Sequence, residues 1–545
     1  MCRLIRLKKR SSKPVPDRYL RSICSALQAL FPHFFCPDNL SGQLRLDSRQ
    51  VQSGDLFIAL QGSQLDGRRF IPAAIEQGAA LVLVESDQDL CSFEPAVGDD
   101  GLVNNKQAVV VELTDLRRRL GQWLFEASNI NDPRFTLIGV TGTNGKTSVS
   151  HYLAQLLESL HKQTAVIGTV GIGALDSLKT ATHTTPDLIS LHQTLDQLFQ
   201  QDFYHQAMEV SSHALDQQRT AGVPFTAAVF TNLSRDHLDY HGSMQAYGEA
   251  KLKLFQQPGL PLAVVNLDDD FAEQIVQKHS AEQCLTYSLS DSAADLYCQQ
   301  ITATTEGFQL QLAGRWGEHQ LDLPLLGQFN IANVLSALLT LLGLGFDLQA
   351  LYQSVSQLKP VPGRMQLVTT AQAEDRKVDQ AQDSGLLQAP KVVVDYAHTP
   401  DALDNALRAV REHLQGRLWC VFGCGGDRDR GKRPLMAQAA EKLADCVVVT
   451  SDNPRTEDPQ QIITDTCRGL SNPAVLVEVD RQLAIQQTLL LANADDVVLL
   501  AGKGHEAYQE IGTERFDFDD VEQAKQAQLL YLEQAQKNNS QGEAK

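Results

Sequence analysis

Residues 140–160 read VTGTNGKTSVSHYLAQLLESL, and this stretch decides the fold of the middle of the chain. The run FTLIGV that leads into it is typical of a buried strand, and from Lys146 onward apolar residues recur at helix spacing. Gly142 and Gly145 therefore lie in a strand-to-helix turn, where backbone N–H groups and a helix N-terminus can bind an anion.

This turn predicts a nucleotide-binding loop in which Lys146 reaches the terminal phosphates and Thr147 ligates Mg²⁺. The alternative is an ordinary βα turn that happens to contain Gly-Lys-Thr. The order of strand, loop and helix favours the nucleotide. Val140 stands where the G-x-x-x-x-G-K-[ST] pattern has glycine, so the spacing indicates a variant loop rather than that of a GTPase or kinase.

Size and charge limit the other functions. A chain of 545 residues suggests three or four domains at roughly 150 residues each. The net charge of −19 argues against a nucleic-acid groove, which needs clustered Lys and Arg. Since no apolar run approaches the roughly 20 residues that cross a bilayer, we expect a protein without membrane insertion.

The ends of the chain and its cysteines predict a cytoplasmic protein. The basic start, MCRLIRLKKR, is followed by polar residues rather than an apolar stretch, which favours a disordered extension over a secretion signal. Ten cysteines without C-x-x-C pairs predict reduced thiols rather than a disulfide framework or a zinc site.

β-branched runs separated by amphipathic helices predict three α/β blocks with parallel sheets. Breaks fall at Asn131-Asp132-Pro133 and at Pro360 and Pro362, and the polar stretch 371–390 reads as an inserted surface loop. The predicted division is an extension at 1–40 and domains at 41–133, 134–360 and 361–545.

TGTNGKT resembles the ATP loop of the Mur ligases, the amino-acid-adding enzymes of peptidoglycan synthesis, and that of the related folylpolyglutamate synthetases. The resemblance to the Mur ligases runs from about Leu44 to Val521. It implies a smaller N-terminal α/β domain that binds the UDP-substrate, a central P-loop ATPase sheet and a C-terminal Rossmann-like domain that binds the amino acid. It also implies ligation through an acyl phosphate, with ATP and Mg²⁺ as cofactors.

The same resemblance gives catalytic and metal-binding roles to Lys146, Thr147, Glu209, His237 and Lys251. Glu209 ends a predicted strand, at the sheet edge where catalytic residues gather. His237 could instead be a loop histidine bonded to the backbone, and Lys251 a solvated surface residue. In the family the matching lysine is carbamylated by CO₂, which turns a cation into an oxygen-donating anion.

On the nucleotide side, the similarity of TGTNGKTS, GQFNIANVLSAL, PGRMQ and VDYAHTPDAL also places His398 near the nucleotide after domain closure. The nucleotide-contacting residues that it implies are Thr141, Gly142, Thr143, Asn144, Gly145, Lys146, Thr147, Ser148, Asn330, Arg364 and Asp395.

On the substrate side, LRLDSRQVQSGDLFIALQGSQLDGRRFI, HTTPD and EVSSHALDQQR resemble segments that hold UDP-N-acetylmuramoyl-L-alanyl-D-glutamate. His183 stands where related enzymes often have asparagine. The implied contacts are Leu46, Ser48, Ser63, Gln64, Leu65, His183, Thr184, Thr185, Ser211, Gln217 and Arg219.

SDNPRTEDP resembles the tetrad that accompanies specificity for meso-diaminopimelate in this family, although a plain Asn-Pro turn is the alternative. Arg455 offers a planar fork for the distal carboxylate of that diamine, and lysine has no carboxylate there. Glu506 could pair with the distal ammonium. The implied amino-acid site is Arg428, Asp452, Asn453, Pro454, Arg455, Gly502 and Glu506.

Two other functions compete with this interpretation. A folylpolyglutamate-type ligase shares the ATP loop, but the N-terminal segment and the D-N-P-R tetrad argue against it. A nucleotide-binding regulator without turnover is disfavoured by the joint presence of Lys146, Thr147, Glu209, His237 and Lys251. We expect a monomer.

Overall fold

A computed structural model of the chain describes residues 17–62, 65–87, 92–94, 108–181, 183–304, 307–368, 388–414 and 416–542. The basic first residues, Ser63, Gln64 and nearly all of the predicted insertion at 371–390 lie outside this set. Within it, three sheets flanked by helices confirm the predicted α/β class with three domains.

The first sheet has the order β1-β2-β3-β5-β4 and is parallel except for the edge pair β4 and β5. Its strands are β1 (Leu44–Arg45), β2 (Leu56–Ala59), β3 (Leu81–Glu85), β4 (Ser92–Glu94) and β5 (Val109–Leu113). Its helices are α1 (Arg18–Leu30), α2 (Ile71–Glu76) and α3 (Leu116–Ala127). Helix α1, which the sequence analysis did not anticipate, packs on α3 and buries Leu20, Ile23 and Leu27 in the core of this sheet.

The central sheet has ten strands in the order β15-β14-β13-β12-β11-β10-β6-β9-β7-β8. Strands β7 and β9 to β13 are parallel with β6, and the antiparallel strands β8, β14 and β15 extend the two edges. The strands are β6 (Thr136–Thr141), β7 (Thr164–Ile167), β8 (Ile172–Gly173), β9 (His205–Glu209), β10 (Ala227–Phe230), β11 (Leu262–Asn266), β12 (Gln283–Ser288), β13 (Leu296–Ala303), β14 (Phe308–Gly314) and β15 (His319–Leu323). The helices are α4 (Lys146–Ser159), α5 (Leu188–Gln200), α6 (Ser212–Asp216), α7 (Leu238–His241), α8 (Met244–Phe255), α9 (Ala272–Lys278), α10 (Gln328–Gly343) and α11 (Leu348–Val355).

The third sheet has the order β16-β17-β21-β18-β19-β20, with only the edge strand β16 antiparallel among the described strands. Its strands are β16 (Gln366–Val368), β17 (Lys391–Asp395), β18 (Leu418–Phe422), β19 (Cys446–Thr450), β20 (Leu476–Glu478) and β21 (Val497–Ala501). A separate hairpin pairs β22 (Tyr508–Ile511) with β23 (Glu514–Asp517). The helices are α12 (Pro400–Arg411), α13 (Lys432–Leu443), α14 (Pro459–Cys467), α15 (Arg481–Leu491) and α16 (Asp520–Gly542).

The central strands of these sheets are buried on both faces, as their continuous β-branched runs predict. Two hydrophobic clusters cover the two faces of the ten-stranded sheet, one around α4 and α10 and the other around α5 and α8. These clusters hold the sheet in place between its helices. The loops at the carboxyl ends of its strands lie at the surface, where a ligand-binding site can form.

The prediction that all cysteines are reduced is wrong at one pair. Cys24 in α1 and Cys36 are joined by a disulfide, with their Cα atoms 5.7 Å apart. The pair is twelve residues apart in sequence and is brought together by the turn that follows α1. The remaining cysteines in the described ranges, six in number, are free. None of the described helices is long and apolar enough to cross a membrane.

Candidate active site

The predicted phosphate loop lies between β6 and α4, and both of its glycines adopt positive φ. A Cβ on Gly142 would lie 1.8 Å from the hydroxyl of Thr231, and one on Gly145 would lie 2.4 Å from Asn333 Oδ1. Glycine is therefore required at both positions by conformation and by space. The loop carries Thr141, Gly142, Thr143, Asn144, Gly145, Lys146, Thr147 and Ser148 onto the N-terminus of α4.

Part of this loop is fixed from the neighbouring strand β10. The N–H of Thr143 donates to Asn232 O across 2.8 Å, and that of Asn144 donates to Asn232 Oδ1 across 2.9 Å. These two N–H groups brace the loop. The N–H groups of the first turn of α4, which have no partner within the helix, are the better anion donors.

Two lysines converge on this loop. Lys146 Nζ donates to the carbonyl oxygens of Gly142 and Thr143 across 2.8 and 2.9 Å. Lys251 Nζ, from α8, donates to Gly142 O across 2.8 Å and lies 4.3 Å from the centre of the Tyr247 ring. Lys251 is only 1% exposed, so it is not the solvated surface residue that its mixed helix allowed.

Burial lowers the pKa of both lysines. Removal from water lowers the pKa of Lys251 well below its usual value, and the charge of Lys146 adds to this effect while Asp236 opposes it. Removal from water also lowers the pKa of Lys146, against the attraction of Glu209 and Asp236. The site thus favours an uncharged amine at Lys251.

Glu209 ends β9, as predicted, and its carboxylate is almost fully buried. It accepts hydrogen bonds from the backbone N–H of Thr169 across 2.7 Å and from the hydroxyl of Thr169 across 3.1 Å. A Cβ on Gly168 would lie 2.1 Å from Glu209 Oε1, so this glycine makes room for the carboxylate. Thr169 is a contact that no sequence signal had identified.

His237 has positive φ and a side chain that is nearly half exposed, 3.4 Å from Asp236. Its ring lies 4.9 Å from that of His213 and 6.0 Å from that of Tyr247. Nowhere in the described ranges do three His, Cys, Asp or Glu side chains gather as a metal site. A metal here would therefore need ligands from a bound substrate.

The residues predicted to contact the UDP-substrate form a connected network in the central domain. Thr184 and Thr169 share a hydroxyl hydrogen bond of 3.0 Å. Thr185 donates to Glu209 O across 2.9 Å and accepts from the N–H of Ser211 across 3.0 Å. The network ties this loop directly to the carboxyl end of β9.

Gln217 and Arg219 continue this network toward the first domain. Arg219 donates to Gln217 Oε1 and, across 3.3 Å, to Thr185 O. Arg117, from α3, donates to the carbonyl oxygens of Gln217 and Gln61. Arg117 was missed by the sequence analysis, although it links the two domains beside the predicted uridine loop.

The other residues predicted to contact the UDP-substrate differ in their exposure. Ser48 is buried at the start of a short 3₁₀ helix, and Leu46 is half-buried after β1. Leu65 is 70% exposed, and His183 is also at the surface.

On the side of the third domain, Arg364 lies 4.5 Å from the centre of the Tyr396 ring. Asp395 ends β17 and accepts from the N–H of Met365, and burial raises the pKa of its carboxyl. Burial lowers the pKa of His398, whose ring bonds to Tyr396 O. Asn330 is buried under the loop, where its amide donates to Leu326 O.

A cavity of about 760 Å³ opens at the carboxyl edge of the third sheet. It brings together residues that are far apart in sequence and includes six of the seven predicted for the amino-acid site: Arg428, Asp452, Asn453, Arg455, Gly502 and Glu506. The seventh, Pro454, lies behind this wall, where its carbonyl packs against Gly426 so closely that no side chain would fit there.

Arg455 is held in place from the β22–β23 hairpin, an element that the sequence analysis missed. Its Nε donates to Glu510 Oε2 and its Nη1 to Gly426 O, both across 2.9 Å. Arg515 donates to the other oxygen of Glu510 across 2.9 Å. Because the five N–H groups of a guanidinium exceed these contacts, Arg455 keeps donors for a ligand.

The hairpin also braces Asn453. The N–H of Glu510 donates to Asn453 Oδ1 across 3.0 Å, and Asn453 Nδ2 donates to Glu506 Oε2 across 2.8 Å. This arrangement offers both a planar cationic fork and two acidic side chains, a combination suited to a ligand with separated carboxylate and ammonium groups.

Comparison with known families gives three matches along the chain. Residues 42–125 match the Mur ligase family catalytic domain, 140–341 the Mur ligase middle domain and 363–504 the Mur ligase glutamate ligase domain. A Pseudomonas aeruginosa protein named UDP-N-acetylmuramoyl-L-alanyl-D-glutamate--2,6-diaminopimelate ligase is 46% identical over 506 residues. The alignment covers 92% of this chain and 98% of that protein.

Solved structures agree with these matches. A structure with the same ligase name is 39% identical, with a TM-score of 0.65, and the match covers 92% of this chain and 98% of the other. The MurF ligase of Thermotoga maritima in complex with ADP shares the fold at 17% identity, with a TM-score of 0.57 over 91% of this chain and 99% of the other.

Proposed function

The chain belongs to the Mur ligase family, and we propose that it joins meso-diaminopimelate to the D-glutamate carboxylate of UDP-N-acetylmuramoyl-L-alanyl-D-glutamate at the expense of ATP. This reaction is a step of peptidoglycan synthesis. The observation that carries the proposal is the cavity in which Arg455, Asn453 and Glu506 meet. The relatives that support it are named as this ligase, and each matches the chain over nearly its whole length.

The phosphate loop is the proposed ATP site. Its glycines, the N-terminus of α4 and Lys146 together present N–H donors and a cation to a triphosphate. Arg364, Asp395 and Asn330 would complete the site from the third domain and from α10. Folylpolyglutamate chemistry would use the same loop, but the relatives that match 92% of this chain carry the name of the diaminopimelate ligase.

Mg²⁺ fits the donors beside this loop. The hydroxyl of Thr147, the carboxylate of Glu209 and the ring of His237 supply few ligands of their own, and Mg²⁺ usually takes most of its ligands from phosphates and water. Bound there, the ion would neutralise charge that develops on the transferred phosphoryl group. Lys251 would join this set as a carbamate, because CO₂ adds to an uncharged amine and burial favours that form.

The proposed chemistry proceeds in two steps. A carboxylate oxygen of the dipeptide attacks the γ-phosphorus, the bond to the bridging oxygen breaks, and ADP leaves. The free amine of the diamine then attacks the acyl carbon, loses a proton, and expels inorganic phosphate. Lys146 would hold the γ-phosphoryl oxygens during the first step, and Arg455 would orient the amine for the second.

The domain division 41–133, 134–360 and 361–545 assigns the three ligands to three bodies: the UDP-substrate, ATP and the amino acid. Leu46, Ser48 and Ser63–Leu65 would hold the uridine end, while Thr184, Thr185, Ser211, Gln217 and Arg219 would hold the sugar and peptide. A cytoplasmic monomer suits this role, since ATP and UDP-sugars are cytoplasmic metabolites.

Phosphate release from ATP tests the proposal directly. Purified protein with the UDP-muramoyl dipeptide is assayed with meso-diaminopimelate, with lysine and with no amine. We expect release and a tripeptide product with diaminopimelate, and less than about 1% of that rate with lysine, since lysine has no distal carboxylate for Arg455 to bind. Equal rates with the two amines would refute the assignment.

A further inference from the structure

Lys503 does not line the 760 Å³ cavity but contacts residues that do, and none of its surface is exposed. Its Nζ donates to Asn453 Oδ1 across 3.1 Å. The same Nζ lies 3.8 Å from Asp452 Oδ1 and 3.6 Å from Glu506 Oε2. One buried cation thus touches three side chains of the proposed amino-acid site.

A fully buried ammonium is costly unless charged partners and hydrogen bonds compensate it. Asp452 and Glu506 provide that compensation, and both also line the cavity. Lys503 sits between two glycines, and a Cβ on the first of them, Gly502, would lie 3.1 Å from Asp452 Oδ2. The close approach of the two loops that carry these residues therefore depends on this lysine and its flanking glycines.

We propose that Lys503 is a positioning residue for the diamine: from behind the cavity wall it holds Asp452 and Glu506 as a fixed pair of carboxylates and orients the amide of Asn453. The inference rests on the proposed function, because it concerns the site for diaminopimelate. Lys503 acts through these three side chains and does not itself contact the substrate.

The charged and aromatic groups around Asp452 and Glu506 determine the effect of removing Lys503. Asp452 and Glu506 face Lys503, the Arg481 guanidinium, and the rings of Tyr396 and Tyr508, and His398 lies within electrostatic range of Asp452. Replacing Lys503 by the uncharged Met leaves Arg481 as the remaining buried cation. The two carboxylates would then lose the cation that lies 3.8 and 3.6 Å from them, and Asn453 Oδ1 would lose its hydrogen bond from Lys503 Nζ.

The test compares Lys503→Met with Lys442→Met, a matched change at an exposed lysine on α13 that pairs with Asp404 across 3.5 Å. In steady-state assays of the full chain we expect Lys503→Met to raise the KM for diaminopimelate at least tenfold. The KM values for ATP and for the UDP-dipeptide should stay within twofold, and Lys442→Met should match the wild type. A parallel rise in all three KM values would overturn the proposal.

The split between KM and kcat adds a readout that a merely structural role would not give. At saturating diaminopimelate the kcat of Lys503→Met should stay within about threefold of the wild type, because Lys503 does not contact the reacting atoms. A tenfold fall in kcat with an unchanged KM for diaminopimelate would contradict the proposal. Wild-type protein inactive with diaminopimelate would refute the proposed function instead, so the two failures are distinguishable.

Should Lys503→Met fail to fold, the double variant Lys503→Met/Glu506→Gln removes the buried cation together with one partner charge. Its effect is compared with that of Glu506→Gln alone. We expect the double variant to raise the KM for diaminopimelate at least threefold over the single one, because Lys503 also holds Asp452 and the amide of Asn453. A double variant with the same KM as Glu506→Gln alone would overturn the proposal.

Discussion

Lys146 and Lys251 donate to the same acceptor, the carbonyl oxygen of Gly142, and each does so across 2.8 Å. Removal from water lowers the pKa of both lysines, and the neighbouring charge of Lys146 lowers that of Lys251 further. Glu209 and Asp236 oppose the shift at Lys146. This difference supports the proposal that Lys146 binds phosphate and that Lys251 reacts with CO₂.

Replacing Lys251 by Ala should lower kcat at least about 100-fold, because a carbamate there would hold charge in the transition state. A small carboxylic acid such as acetate should restore part of the activity by occupying the vacated space. The assay is phosphate release with and without added acetate. Lys253→Ala, which changes an exposed lysine on the same helix, is the control and should retain full activity.

The carbamate also predicts a pH dependence with a defined sign. It forms from the neutral amine, so it is lost as pH falls through the pKa of Lys251. Because that pKa lies well below its usual value, the ¹³C signal of a carbamate from labelled bicarbonate should persist at neutral pH and disappear on acidification. A signal that strengthens on acidification, or none at any pH, would exclude this role.

Arg455→Ala should raise the KM for diaminopimelate roughly 30-fold, equivalent to about 2 kcal/mol for hydrogen bonds to a charged group. The KM for ATP should change little, since the phosphate loop belongs to another sheet. Arg468→Ala, which removes a solvent-facing arginine paired only locally with Asp465, serves as the control. An unchanged KM for diaminopimelate would remove the carboxylate fork from the mechanism.

Glu510 orients Arg455, so Glu510→Ala should weaken diaminopimelate binding about tenfold while Arg455 itself remains. The loss follows from freeing a guanidinium that was fixed on its Nε side. Titration calorimetry with diaminopimelate in the presence of a non-hydrolysable ATP analogue measures it. Glu522→Ala, at an exposed site in α16, should bind as the wild type does, and tighter binding by Glu510→Ala would contradict the positioning role.

Arg481 and Asp520 form an ion pair in which both side chains are fully buried, with Nη2 and Oδ2 2.7 Å apart. Asp520→Ala should lower the free energy of unfolding of the third domain by about 3–5 kcal/mol, because the buried guanidinium loses its hydrogen-bonded carboxylate. Urea unfolding followed by circular dichroism measures the shift. Asp517→Ala in the exposed hairpin strand β23 should unfold within about 0.5 kcal/mol of the wild type.

The elements of the phosphate site could be predicted from sequence because each is local. The β-branched run predicts β6, the two glycines predict the turn, and the helix spacing after Lys146 predicts α4. Glu209 lies at the end of β9, as expected. The D-N-P-R tetrad likewise follows β19 directly. In each case the residues that define the feature are neighbours in the chain.

The contacts that brace these residues could not be predicted, because they join distant segments. Glu510 meets Arg455 from 55 positions away, and Arg117 reaches Gln217 from 100 away. Gly512-Thr513 is a two-residue turn that could have indicated the hairpin at residues 508–517, but no local pattern shows that this hairpin packs against the tetrad. The disulfide between Cys24 and Cys36 was not predicted for a similar reason, since the turn after α1 brings the two cysteines together.

Every side chain that lines the 760 Å³ cavity comes from residues 396–515, on the third sheet and its hairpin, while the phosphate loop is built on the ten-stranded sheet. The residues that select the incoming amine thus lie on a different sheet from the phosphate loop. Substitutions at one edge of the third sheet could therefore change the amino acid that the enzyme adds, and with it the cross-linking residue of the cell wall. The phosphate loop would stay the same.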